Sequence, residues 1–383
     1  MPDNFTILGG GIGGLTLALA LQRKGFTVNV YEAAEEIRPL GAGLGLAANA
    51  IRAFESIGIA EKVVKAGKIL KTLRLRDTKG NILSESDSEK ITARLGVVNN
   101  FAIHRADLHR VLIDALAPGT LVLGKRCTGF TKDGTKIGLQ FSDGSNLQTT
   151  NLIACDGIHS IVRRSLLPNI PIRYAGYTCW RGITDTLPAG IDPDETSETW
   201  GRGKRFGMVP IPGNRLYWFA VTNAPQNDPR LKNWKTRELL THFSDFHCNV
   251  REVIRSTDDD KVIWNDIIDI PPISRFAFDN VVLMGDAAHA TTPNLGQGAC
   301  MAIEDAAVLA QCVQLNAANI ADAFREFERK RIARTTAVVR DSWRMGQVAQ
   351  WQNPFLVALR NNLLRLVPAS AAERRVKALI SEQ

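Results

Sequence analysis

The sequence predicts an α/β protein: a βαβ-built domain at the N-terminus, a sheet-rich domain inserted into it, and a run of helices at the C-terminal end. Three observations carry this. Residues 5–8 and 27–31 have strand character and bracket a good helix former, residues 15–23, all within about thirty residues, the span of one βαβ unit. Between residues 174 and 270 aromatic side chains rise, among them Trp180, Trp200, Phe206, Tyr217, Trp218 and Phe219, and the runs 206–210 and 216–221 are joined by the turn signal Pro212-Gly213-Asn214. From Gly298 onward the pattern is helical, with one break at Pro354.

The first unit carries Gly9-Gly10-Gly11-Ile12-Gly13-Gly14 between strand and helix, which sets G-x-G-x-x-G at Gly9, Gly11 and Gly14. Gly9 permits the tight turn out of the strand, Gly11 lets the backbone approach a pyrophosphate, and Gly14 lets helix and sheet pack closely. The helix N-terminus then directs unpaired N–H groups and positive dipole at phosphates. Gly25 ends the helix, and Glu32, at the end of the second strand, is placed to accept hydrogen bonds from an adenosine ribose. This motif alone fits NAD and FAD equally.

Next, Gly41-Ala42-Gly43-Leu44-Gly45 forms a second glycine-rich stretch without the spacing of a second fingerprint, followed by a helix through Asn49, Phe54 and Ile57. Residues 72–76 and 82–84 flank Asp77-Thr78-Lys79-Gly80, a hairpin signal. Residues 106–116 read as an amphipathic helix. Runs 121–122, 127–131, 137–141 and 146–153 alternate with turns at Asp133-Gly134 and Ser142-Asp143-Gly144, which predicts a small antiparallel meander before Asp156. Residues 281–284 resume a buried strand pattern.

At 383 residues, 45% hydrophobic and 22% charged, the chain suits a soluble protein of two domains. Apolar stretches such as 17–21 are far short of a membrane span, so no integral membrane segment is expected. The first strand starts within five residues, which leaves no room for a signal peptide, and a cytoplasmic location is expected. Six scattered cysteines with no C-x-x-C pair read as reduced structural thiols, and no metal site is expected. The net charge of +8 is spread among acids; its densest cluster, Arg325, Arg329, Lys330, Arg331 and Arg334, reads as a solvated helix face, so no nucleic-acid partner is expected.

Three further motifs follow in order. Asp156-Gly157-Ile158-His159-Ser160-Ile161-Val162-Arg163 fits D-G-x-x-S-x-x-R directly after a strand; Gly285-Asp286-Ala287-Ala288-His289 follows the strand at 281–284; Pro293-Asn294-Leu295-Gly296-Gln297-Gly298 leads into the helix with Ile303-Glu304-Asp305-Ala306. With the opening fingerprint, this set resembles the class A FAD-dependent monooxygenases, the para-hydroxybenzoate hydroxylase fold, and within them the branch of salicylate and urate hydroxylases and zeaxanthin epoxidase. The resemblance spans essentially the whole chain. It implies a Rossmann-like FAD-binding domain in three parts (1–72, 98–173 and 271–320), a substrate domain formed by a hairpin (73–97) and residues 174–270, and a C-terminal helical segment (321–383).

The resemblance implies FAD as cofactor and NADH or NADPH as transient electron donor. Asp286 is placed to accept hydrogen bonds from the ribityl chain, although it could simply cap the following helix. Gly296, Gln297, Gly298 and Ala299 sit at a helix start, where backbone N–H groups can face the flavin pyrimidine edge. By resemblance Gly43, Arg105 and Gly285 also contact the cofactor, with Gly13, Asp156, Gly157 and Pro293, and Arg163 supports the Asp-Gly turn. His289 is read as structural rather than as an acid or base. Many relatives have Asn where this chain has Cys300, which puts a side-chain contact from that position in doubt.

The implied reaction inserts one oxygen atom of O₂ into a small aromatic or N-heterocyclic substrate through a flavin C4a-hydroperoxide, with carbonyls around Pro293 nearby. Arg205 and Tyr217, on adjacent predicted strands, are the candidate catalytic pair: the arginine could pair with an anionic substrate, the tyrosine could hydrogen-bond or deprotonate a ring substituent. Equally, Tyr217 could be ordinary core and Arg205 a surface residue. Isoprenoid epoxidation, antibiotic inactivation and a non-catalytic flavin-binding regulator are the other functions considered; halogenation is set aside because no W-x-W-x-I-P segment occurs. A monomer or homodimer is expected.

Overall fold

The structure, a computed structural model, describes residues 4–37, 42–368 and 370–381; Gly41 lies outside them. The opening strand, Asn4–Leu8, sits inside a six-stranded sheet in the order Ala277–Phe278, Val281–Leu283, Leu152–Ala154, Asn4–Leu8, Thr27–Tyr31, Leu121–Val122. All pairs are parallel except the one at the Ala277–Phe278 edge. Strands buried on both faces of a parallel sheet read as continuous apolar runs, and Phe5, Ile7, Leu152, Ile153, Val282 and Leu283 are fully buried here.

Helix Ile12–Gln22 covers one face and packs on the long helix Gly298–Leu315, so that the fingerprint turn and the late glycine-rich turn meet at one end of the sheet. By length and composition Gly298–Leu315 could cross a membrane; it is instead mostly buried against Ile12–Gln22, Ala48–Ile57 and Ile320–Ala349, and it carries the buried Glu304 and Asp305.

The expected meander is present as Cys127–Asp133, Lys136–Phe141 and Asn146–Thr149, antiparallel throughout. The run 146–153 is however two strands. Asn280 donates to the Thr150 carbonyl and Thr6 N–H donates to Asn151 O at 2.9 Å, which turns the chain out of the meander so that Leu152–Ala154 joins the parallel sheet. Leu121–Val122 likewise pairs with Thr27–Tyr31 in the parallel sheet.

A second, seven-stranded sheet runs Ile263–Asp269, Arg173–Thr184, Arg215–Asn223, Lys204–Ile211, Glu195–Trp200, Thr72–Asp77, Ile82–Asp87. The early hairpin extends it through a parallel pairing of Thr72–Asp77 with Glu195–Trp200, where Glu195 binds Arg74 and, at 2.8 Å, Arg76. One face of this sheet is covered by Thr236–His242 and Cys248–Arg255, burying Trp180, Phe206 and Trp218. Alternation sends the neighbouring residues Arg181, Arg205, Val209, Tyr217 and Phe219 to the opposite face. That face meets the strands Gly43–Leu46 and Phe101–His104 of the nucleotide side, which is where the site lies.

At the C-terminal end, Ile320–Ala349 runs for 30 residues, and Asn353 caps Pro354–Arg365 by accepting from Phe355 N at 2.9 Å. The basic cluster on the long helix is only in part a solvated face. Arg325 and Arg329 are exposed, whereas Arg331 and Arg334 turn inward to Glu304 and Asp305.

Candidate active site

At the nucleotide end, sterics require the glycines. A Cβ on Gly9, which has φ of +102°, would stand 2.3 Å from the Cys155 carbonyl oxygen, and one on Gly14 would stand 2.1 Å from Gly9 O. Gly11 differs: a Cβ there would meet nothing within 4 Å, so its backbone faces the open side of the turn. Gly13 faces inward, toward Ala302 and Met284. Gly11 caps the helix without a side chain, and no acid lies in the first turn, so the first amides are available to an anion.

The Glu32 carboxylate is held by Gly10 N at 2.6 Å and Ala34 N at 2.8 Å. Arg105 and His109 lie one turn apart on Arg105–Ile113. Burial pushes the His109 imidazole down to about 4, with Arg105 acting in the same sense and Glu32 against it, so the ring is neutral. Its Nε2 is buried with no hydrogen-bond partner among the described residues.

Across the sheet end, Gly285, at φ of +61°, swings the chain so that Asp286 is exposed between buried neighbours. Although the residue is exposed, the protein crowded around its carboxyl raises it, with His289, Arg105 and Arg163 pulling the other way, and that places Arg105 and Asp286 in one neighbourhood. Asp156 Oδ2 accepts from Ile161 N at 2.9 Å, and burial raises its carboxyl too. Arg163, itself buried, donates to Ile158 O and, at 3.1 Å, to Ala287 O, tying the Asp156-Gly157 turn to the Asp286 turn.

The late glycine-rich turn folds as a short 3₁₀ segment, Pro293–Leu295, closed by Gly296 N donating to Pro293 O at 3.0 Å. Gln297 and Gly298 then begin a helix with no capping side chain and no acid in its first turn, which leaves amides through Ala299 and Cys300 able to stabilise negative charge. Cys300 is buried; its thiol accepts from Ala47 N at 3.3 Å and burial pushes it up to about 12, so it bridges the two glycine-rich stretches as a neutral thiol.

Behind this turn lies a polar network that no sequence motif isolates. Asn49 Nδ2 donates to Gln297 Oε1 at 3.0 Å and to Glu304 Oε2 at 2.8 Å. Glu304 pairs with Arg331 and Arg334; Asp305 takes Arg331 Nε at 2.7 Å, His289 Nε2 at 2.6 Å and Gly285 N at 3.1 Å. Although burial opposes it, the charges of His289 and Arg331 hold the Asp305 carboxyl down at about 2. The network therefore fixes the Gly285-Asp286 turn and the Gln297 turn to one another, and His289 acts within it.

Arg205 and Tyr217 project from the same face of the second sheet but into different surroundings. Arg205 is 3% exposed, and its guanidinium donates to Gln350 Oε1 at 3.2 Å, Glu198 Oε1 at 3.3 Å and Asn294 Oδ1 at 2.8 Å. Asn294, in turn, donates to the Tyr177 hydroxyl and the Ser342 carbonyl, both at 2.8 Å, so Arg205 braces the Pro293 turn. Tyr217 packs with Leu70, Ala102, Val209 and Ile211, flanked by Ile183 and Phe219. Burial pushes its phenol up to about 12 against the pull of the nearby Arg181 charge. Tyr217 is thus a neutral hydroxyl at working pH, able to donate or accept a hydrogen bond but not a standing base. Arg181 is the partner that the sequence pattern alone misses, since only the pairing of its strand with Arg215–Asn223 brings it alongside.

These residues fit a flavin dinucleotide. The open Gly11 turn, the unpartnered His109 Nε2, the exposed Asp286 and the uncapped helix start at Gln297 supply the donors and the acceptor it needs, and the charge of Arg105 acts on both His109 and Asp286.

Comparison with known proteins agrees. The family model for the FAD binding domain matches residues 4–344. The chain is 37% identical to aurachin C monooxygenase/isomerase of Stigmatella aurantiaca, covering 98% of each, and 33% identical to 2-heptyl-3-hydroxy-4(1H)-quinolone synthase of Pseudomonas aeruginosa, covering 97% of this chain and 95% of that one. Among solved structures, Klebsiella pneumoniae HpxO complexed with FAD and uric acid superposes with a TM-score of 0.89 at 29% identity, covering 99% of this chain and 97% of that one.

Proposed function

The chain belongs to the FAD-binding-domain family of class A flavoprotein monooxygenases, and from that premise we propose that it hydroxylates a quinolone-type aromatic N-heterocycle bearing an apolar substituent. The enzyme is an FAD-dependent monooxygenase with NADH or NADPH as its donor. Bound FAD supplies the storage of electrons and the activation of O₂. The protein residues hold, orient and shield.

Gly11 and the first-turn amides would hold the pyrophosphate, Glu32 and His109 the adenosine side, and Arg105 the flavin chain. Asp286 would accept from the ribityl chain, and the Gln297, Gly298 and Ala299 amides would serve the flavin pyrimidine edge. Arg205, through Asn294, keeps the Pro293 turn in place. Arg205 and Tyr217 therefore divide their labour: Arg205 positions and Tyr217 touches the substrate.

The observation that carries the substrate reading is the Tyr217 hydroxyl, set in an otherwise apolar cluster of Leu70, Val209, Ile211 and Phe219. One polar anchor in an apolar wall suits a ring with a single carbonyl or N–H and a hydrocarbon arm. The heptyl-quinolone in the name of the Pseudomonas aeruginosa relative points the same way. A urate-like purine is the second reading, favoured by the HpxO likeness and by Arg205 and Tyr217 sharing a sheet face.

The test presents a 2-alkyl-4-quinolone and urate separately to the FAD-loaded enzyme and follows NAD(P)H consumption and product mass. Quinolone-stimulated consumption with one added oxygen supports the proposal. Stimulation by urate alone replaces it with the second reading.

A further inference from the structure

We infer that helix Pro354–Arg365 and the two residues after it form a docking surface for an anionic lipid bilayer, on which the enzyme lies peripherally. Exposed large apolar side chains are concentrated there: Phe355 is 82% exposed and Leu366 77%, with Leu356, Leu359, Leu363 and Val367 exposed between them. At 100° per residue these six fall on one stripe, while the flank of the helix beside it packs inward through Arg360, Val357 and Leu364. The inner side is firmly seated. Arg360 is 2% exposed and donates to Ala349 O at 2.8 Å and Gly201 O at 3.2 Å, so the outer stripe is not a consequence of a loose helix.

Contiguous apolar surface of this kind marks an interaction site. Charge selects the occupant. Residues 350–368 contain no acid and two arginines. The ends of the stripe carry Arg202, which donates to Gln352 O at 3.1 Å, and Arg365, at the Asp77–Gly80 turn with the exposed Lys79 and Ile82. Beyond it, helix Ser370–Ser381 adds the exposed Arg374, Arg375 and Lys377. Arg365 pairs with Asp77 at 3.4 Å and Lys377 with Glu373 at 3.1 Å, which leaves Lys79, Arg202, Arg374 and Arg375 as rim cations with no acid partner among the described residues. An apolar stripe with a basic rim is the pattern of a helix lying in the plane of a bilayer interface, its cations against anionic headgroups. A second copy of this chain would set these cations against one another.

The helix also bears on the site. Gly201, gripped by Arg360, opens the turn into Lys204–Ile211, the strand that carries Arg205 and Val209, so a bilayer against this helix lies beside the substrate sheet.

The test is flotation of the FAD-loaded full chain with vesicles of phosphatidylcholine, with and without phosphatidylglycerol, alongside sedimentation velocity. The expected result is flotation with the anionic vesicles, about tenfold weaker with neutral ones and weakened by salt. The double variant Leu359→Glu/Leu363→Glu, and separately Phe355→Ser, keep bound flavin but lose flotation. Absence of wild-type flotation, or unchanged flotation of the variants, overturns the inference. A wild-type dimer that the double variant dissociates, without any vesicle binding, overturns it in favour of a self-interface.

Discussion

Gly43 and Tyr217 occupy adjoining space so closely that a Cβ on Gly43 would stand 2.5 Å from the Tyr217 Cβ and 2.6 Å from its Cγ. The contact joins the second glycine-rich stretch, on the nucleotide side, to the strand that carries the Tyr217 hydroxyl. Because the clash involves the root of the aromatic side chain rather than a flexible tip, an added methyl must move the ring or the backbone. Gly43→Ala is expected to lower stability by about 1–3 kcal/mol and to displace the tyrosine. Urea unfolding measures the first, and a raised KM for the aromatic substrate with FAD still bound measures the second.

Tyr217→Phe removes the hydroxyl and leaves the apolar wall. Substrate-dependent kcat/KM is expected to fall about 10²-fold, while flavin content stays unchanged. Since the phenol is pushed up to about 12, the wild-type pH–rate profile should carry no limb from this residue below about pH 10. A profile measured from acid to alkaline pH on both proteins checks it; a limb near neutrality that disappears in the variant would assign Tyr217 as a base.

Arg331 is the shared cation of Glu304 and Asp305, and all three are essentially buried. Arg331→Met leaves the carboxylates to Arg334 and His289, and breaking such a pair costs about 3–5 kcal/mol. Because Asn49 links Glu304 to Gln297, FAD affinity should fall as well. Flavin titration and the urea midpoint read the two effects, and adding Glu304→Gln should recover part of the loss.

His242 gives a pH signature away from the cofactor groove. Burial pushes its imidazole down to about 4, with Lys204 acting in the same sense, and its Nε2 lies 3.0 Å from Thr222 Oγ1. The unfolded ring titrates near 6.5, so between that pH and about 4 the unfolded state binds more protons. Stability is therefore fully present above the window and falls as pH drops through it, by on the order of 3 kcal/mol. His242→Asn should flatten that slope in unfolding curves taken at neutral and mildly acid pH.

Much of the groove was legible because its parts obey short-range rules. Gly9, Gly11 and Gly14 are fixed by sterics within one turn, and strand Thr27–Tyr31 falls where its pattern sets it. Asp286 and Gln297 are likewise marked by their places at a strand end and a helix start. What escaped depended on long-range pairing. The run 146–153 reads as one strand, and only Asn280 and Thr6, far away in sequence, divide it. Strand Arg173–Thr184 is obscured by Gly176, at φ of +89°, near which its register with Ile263–Asp269 shifts. Arg331 and Arg334 look like solvent-facing charges until Glu304 and Asp305 are brought beneath them. Arg205 likewise looks free to meet an anion until Asn294, Gln350 and Glu198 surround it.

The proposed reaction delivers an atom of O₂ into an apolar-substituted N-heterocycle anchored by Tyr217. It is tested most directly by single-turnover hydroxylation under heavy-isotope O₂, with wild type and Tyr217→Phe compared by product mass. The account predicts that the wild-type product carries the heavy atom and that the variant consumes NAD(P)H while releasing mainly hydrogen peroxide. A product whose new oxygen comes from water, or a variant that hydroxylates as well as the wild type, would contradict it.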